Sequence, residues 1–145
     1  MLRGKCLCEA VRFEITGSLG PLGYCHCTQC RRASGTAFSA NADVARAELW
    51  FTSGDALIRE FESSPGRFRA FCSRCGSPLY KRTAERPEVM RVRLGLLEDD
   101  PQLQARVHVR VSSRAPWYEI TDSLPQLPEG LPKRLPATDR RKEER

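Results

Sequence analysis

Seven cysteines in three tight clusters constrain this chain more than any other feature of it. They stand as C-x-C at Cys6 and Cys8, as C-x-C-x-x-C at Cys25, Cys27 and Cys30, and as C-x-x-C at Cys72 and Cys75. An odd count leaves one thiol over in any full disulfide pairing. The opening stretch, MLRGKCLCEA, has no apolar segment of the kind a secretory signal needs, so the expected setting is the cytoplasm, where thiols stay reduced. Clustered thiols in that setting point to metal binding or catalysis. No apolar run reaches the ~20 residues of a membrane span, and no membrane partner is expected.

How the ligands divide follows from their spacing. Alternate residues of an extended strand point the same way, so each C-x-C can offer two sulfurs to one ion. A C-x-x-C unit grips one ion in a tight turn, and Gly76 after it tolerates the positive φ such a turn needs. Two sulfurs are too few for a stable zinc site. Together, Cys6, Cys8, Cys72 and Cys75 make a closed four-sulfur tetrahedron, the arrangement of a structural zinc, whose apparent binding energy is about 10–16 kcal/mol. Lending one of these four to the middle cluster would break a pair and strand three ligands.

Cys25, Cys27 and Cys30 are then expected to hold a second zinc with one position left over. If residues 25–27 are extended, His26 faces away from the ion and is expected behind the ligands or at the surface. His108 shares the polar side of its strand with Arg106 and Arg110 and is expected to be exposed. The open position therefore falls to solvent or substrate, which is the layout of a catalytic zinc. A three-thiolate zinc is a weak Lewis acid, better suited to holding an incoming thiol as its thiolate. Arg31 or Arg32 would supply a cationic rim that attracts an anionic thiol such as glutathione. The alternative is a second structural site, or one partly empty at rest.

The formal charge of +6 does not read as a nucleic-acid footprint. The stretch KRLPATDRRKEER, residues 133–145, carries six basic and three acidic groups and is expected to be a disordered charged tail behind a single domain of residues 1–132. Thiols bind metal as thiolates, so seven of them on two divalent ions add three negative charges, and the basic excess becomes largely their counter-charge. No nucleic-acid partner is expected.

The remaining texture is strand and turn. Val11, Phe13 and Ile15 alternate with polar residues at the period of a half-buried strand. Further strands are expected within 47–54, 56–62, 67–72, 89–97 and 105–111, with GSLGPLG (17–23) a loop and Gly95 a bulge or close approach. CRRASGTAF (30–38) offers at most a short helix, closed by Gly35. Prolines recur through 115–136, which suits an extended wrap. The fold class is mostly β, packed antiparallel sheets with at most short helices.

The runs CLCEAVRFEITG, CHCTQCRRASGTAF, FCSRCGSPLY, RLGLLEDDP and HVRVSSRAPWYEITDSLPQ follow one another between residues 4 and 128. In that order they resemble the glutathione-dependent formaldehyde-activating enzyme family, whose domain is shared with centromere protein V. The resemblance implies a β-tent zinc fold, a structural zinc on Cys6, Cys8, Cys72 and Cys75, and a second zinc on Cys25, Cys27 and Cys30. It implies a carbon–sulfur lyase that joins formaldehyde and glutathione reversibly into S-hydroxymethylglutathione. A zinc-stabilised binding module like the centromere relative is the other class it allows. Two departures stand out: Glu9 occupies a place where the family commonly has glycine, and the chain is shorter than the founding enzyme. Trp117, in the matching APW, is expected to cap the core, with a ligand pocket as the alternative.

Overall fold

The computed structural model describes residues 1–131; the charged tail expected at 133–145 lies outside the described residues. Ten strands and one helix follow in order: β1 Leu2–Lys5, β2 Arg12–Ile15, β3 Leu22–Cys25, α1 Thr28–Ser34, β4 Ser39–Ala45, β5 Leu49–Ser53, β6 Ile58–Ser64, β7 Arg67–Cys72, β8 Pro78–Thr83, β9 Val89–Arg93 and β10 Ala105–Val109. They form a three-stranded sheet, β1-β2-β5, and a seven-stranded sheet, β10-β3-β4-β9-β8-β7-β6. The mostly-β expectation holds. One pair breaks the antiparallel rule, since β10 runs parallel to β3.

Alternation puts the core between the sheets. Val11, Phe13 and Ile15 are buried from the small sheet, and Val44, Ala70, Tyr80, Met90 and Val92 meet them from the large one. Each large apolar side chain so buried contributes about 1.5–3 kcal/mol. Where strands pair, residues directly opposite share a face. The residues that alternate with these core positions pair with one another instead, and line the outer face of the large sheet: Asn41 and Asp43 on β4, Arg91 and Arg93 on β9, Lys81 on β8 and Arg69 on β7.

The short helix α1 lies over that outer face, its buried residue being Cys30. Cys27 caps its start, with Sγ accepting the Cys30 N–H at 3.2 Å. Gly35 ends it at φ 66°, as expected for a left-handed stop, and donates its N–H to the Arg31 carbonyl at 2.8 Å. Gly95 sits in a single 3-10 turn, Leu94–Leu96, rather than in a strand bulge. The proline-rich segment returns alongside β10, with His108 N–H bonded to the Pro125 carbonyl at 2.9 Å and Leu127 N–H to the His108 carbonyl at 2.8 Å. It covers that edge of the sheet; β6 forms the other edge. Among the described residues, no helix is long and apolar enough to cross a membrane.

Candidate functional site

All seven cysteines are unpaired, and they gather into the two groups that spacing separates. The sulfurs of Cys6, Cys8, Cys72 and Cys75 lie within 4.8 Å of one another, close enough to hold a metal ion. Cys6 and Cys8 follow β1 in the small sheet; Cys72 ends β7 in the large sheet and Cys75 stands in the turn to β8. The group thus spans the two sheets. Its backbone is tied down locally: Val11 N–H donates to Cys6 Sγ at 3.3 Å, Leu7 N–H to Ser77 Oγ at 2.9 Å, and Gly76 N–H to the Cys72 carbonyl at 2.7 Å. Gly76 takes φ 78°, the positive value its place after C-x-x-C predicts. Glu9 takes φ 65° in the other turn, where its carboxylate pairs with Lys5.

The sulfurs of Cys25, Cys27 and Cys30 also lie within 4.8 Å of one another, and no other His, Cys or carboxylate among the described residues joins them. Cys25 ends β3, Cys27 caps α1 and Cys30 is buried one turn later. Around this trio the large sheet presents cations. Arg69 donates from Nη1 to Cys30 Sγ at 3.6 Å, from Nη2 to Gln29 Oε1 at 3.3 Å and from Nε to Ser63 Oγ at 2.9 Å. Arg93 donates to Asn41 Oδ1 at 2.5 Å, and its Nε is buried without a partner. Only 8% of Arg69 and 6% of Arg93 is exposed, and neither meets a carboxylate among the described residues. Buried cations need anions nearby. Hydrogen bonds from Cys25 and Cys27, helped by Ser39 and Arg69, hold the Cys30 thiol well below its usual range. A metal-bound thiolate cluster fits this donor set and its unpaired arginines.

Arg69 hydrogen-bonds a sulfur of the trio directly, whereas Arg31 and Arg32, expected as a rim for an anionic thiol, make no such bond among the described residues. Arg31 is half-buried with Nε unpartnered, and Arg32 points into solvent. Arg69 and Arg93 were legible only as alternating arginines in RFRAFC and VMRVR, a pattern that ordinarily marks a solvated face.

His26 does face away from the trio, but it is buried, and so is His108, which corrects the expectation of an exposed His108. His26 Nε2 lies 2.7 Å from His108 Nδ1, and His108 Nε2 lies 2.9 Å from Asp122 Oδ2. Tyr24, Phe38 and Tyr118 pack around the two rings. The segment after β10 supplies both Asp122 and Tyr118, so strand alternation alone gave no sign of this cover. Trp117, expected to cap the core, is 70% exposed; Tyr118 beside it turns inward instead.

Two packed β sheets, a cysteine group bridging them and a cysteine trio on an outer face define a mostly-β protein with two candidate metal centres. The profile of the glutathione-dependent formaldehyde-activating enzyme family matches residues 1–113, and the chain belongs to that family. It is 30% identical over 133 residues to a Halomonas elongata protein named "Putative glutathione-dependent formaldehyde-activating enzyme", covering 83% of this chain and 81% of that one. A crystal structure of a Rhodobacter sphaeroides protein shares the fold with a TM-score of 0.58 at 23% identity, over 68% of this chain and 89% of the other.

Proposed function

We propose that this chain is a zinc-dependent carbon–sulfur lyase of the S-hydroxymethylglutathione synthase kind. It acts on formaldehyde and glutathione, or on another small thiol and aldehyde, at Cys25, Cys27 and Cys30. Cys6, Cys8, Cys72 and Cys75 hold a second, structural zinc. The observation that carries the reading is the trio itself: three sulfurs within 4.8 Å of one another, and no fourth protein ligand among the described residues. Membership of the family supports the substrate pair.

Zinc on the trio would supply a position where an incoming thiol is held as its thiolate. The chain's own groups set that position. Cys27 stands where it both caps α1 and offers its sulfur, and Arg69 fixes Cys30 through a charged hydrogen bond. In the synthetic direction a bond forms between the thiol sulfur and the formaldehyde carbon. The carbonyl π electrons pass to oxygen, which takes up the proton given up by the thiol. The reverse step returns both reactants. Holding thiol and aldehyde side by side supplies proximity.

The test is loss of free formaldehyde with and without glutathione, in wild type and Cys27→Ser, alongside zinc per chain. The expected result is two zinc ions in wild type, one in Cys27→Ser, and glutathione-dependent turnover at least about 100-fold slower in the variant. Turnover that is absent in wild type, or indifferent to Cys27 and to glutathione, would instead leave a zinc-stabilised binding module.

A further inference from the structure

A row of charge crosses the outer face of the large sheet. Arg69 on β7 stands opposite Lys81 on β8, Lys81 opposite Arg91 on β9, and Arg91 opposite Asp43 on β4. Like charges set directly across strands repel. Arg91 is relieved by Asp43, with Nε 3.2 Å from Oδ1. Arg69 is occupied by Cys30. Lys81 has no ion pair among the described residues, although it lies between two arginines and is half-buried. Burial pushes its ammonium below the usual range, and the Cys30 charge pulls it partly back.

Lys81 also lines a cavity of about 110 Å³ with Cys25 and Cys30. Val107 and Val109 form an apolar wall there, and Asn41 a polar one. Asp43 and Arg91 reach the same space already paired with each other. The cavity is far smaller than the ~300–1,000 Å³ that encloses a whole drug-sized ligand. It admits a thiol, a short methylene chain and one small polar group.

The charges around the three-cysteine group, where Arg69 and Arg93 stand beside Cys30 but outside the lining of the cavity, do not close. A divalent ion on three thiolates carries one net negative charge, against three cations, Arg69, Arg93 and Lys81. Two positive charges are left over. An incoming thiolate takes one of them and a carboxylate on the same molecule takes the other.

We propose that Lys81 is a carboxylate-binding residue of the three-cysteine site, so that among the small thiols the proposed function allows it favours one that carries a carboxylate a few bonds from its sulfur. The proposal rests on the reading of the trio as an open coordination position. The carboxylate lies against Lys81 and Asn41, the methylenes against Val107 and Val109, and the sulfur turns toward Cys25 and Cys30.

A matched pair of thiols tests this: 3-mercaptopropionate and its neutral amide, titrated into the full-length protein loaded with cobalt(II), whose absorption bands respond to a new thiolate ligand. In wild type the acid should bind about ten-fold or more tightly than the amide, the worth of one charge-assisted hydrogen bond. Lys81→Gln should erase the preference with two metals still bound, and Lys81→Arg should keep most of it. Equal affinity for acid and amide in wild type, a comparison that needs no variant, overturns the subsite and leaves the open position standing. A preference that survives Lys81→Gln does the same. No spectral response to either thiol overturns the open position, and the subsite with it.

Discussion

Glu9 makes the local cost of this fold visible. The turn after Cys8 needs φ 65° at residue 9, in the region where a side chain crowds the backbone and glycine does not. Here a glutamate bears it, held by Lys5 and with Arg12 at 3.6 Å. The Lys5 hydrogen bond keeps the carboxyl below the usual range. Because the pairing is exposed, it recovers little. Glu9→Gly is expected to raise the melting temperature by about 2–4 °C, and Glu9→Val to lower it by at least as much, both read by thermal unfolding of the metal-loaded protein. Residue-scale reading of the sequence succeeded where chemistry is local. The spacing of cysteines, the stop at Gly35 and the turn at Gly76 each depend on neighbours within a few positions. It failed for His108, because burial of a strand residue is decided by whatever packs over it, and here Asp122 reaches it from the segment after β10.

The strands show the same division. Val11, Phe13 and Ile15 announce β2 by alternation, whereas SANADVA and PLYKRT conceal β4 and β8. Asn, Asp, Ala and Pro are poor strand formers, and these two segments are strands because they lie inside the sheet, paired on both sides. The edge strand β6 is braced in a different way. Glu60 faces Ala70 on β7, whose small side chain lets the carboxylate reach across to β8, 2.6 Å from Arg82 Nε and 3.2 Å from the Tyr80 hydroxyl. Arg82 in turn lies over the Phe68 ring at 4.1 Å. Its hydrogen bond to Glu60 holds that carboxyl below the model-peptide value. A carboxyl depressed in the folded state stabilises above its unfolded pKa, and that contribution is lost as pH falls through the folded value. The urea midpoint should therefore drop as pH falls below about 4.3, and Glu60→Gln should lower the neutral-pH midpoint and flatten this part of the profile, with the remaining slope coming from other paired carboxylates such as Glu9. An unchanged slope in the variant would rule out Glu60 as the brace.

Across the whole molecule, the two sheets share one core, and among the described residues the one group of metal-capable side chains that draws on both is Cys6, Cys8, Cys72 and Cys75. A metal held there would tie β1 to the end of β7, and Arg3 with Asp99, 3.0 Å apart, adds only an exposed pair nearby. The three-cysteine group lies within the large sheet and its helix, so its loss leaves the packing of sheet on sheet intact. Cys72→Ser should accordingly lower the melting temperature by more than about 10 °C or abolish cooperative unfolding, while Cys27→Ser shifts it by less than about 3 °C; calorimetry of both variants with zinc in excess separates them. Similar losses from the two substitutions would mean that the groups share the structural load. The distance between the partners in that bridging group also has a consequence in time. Sixty-four positions separate Cys8 from Cys72. At about 5–20 residues per second on the ribosome, the leading hairpin waits roughly 3–13 s for its mate to be synthesised. Throughout that interval its bare thiols are open to oxidants and to stray soft cations in the surrounding cell, so successful maturation depends on how quickly the rest of the polypeptide follows.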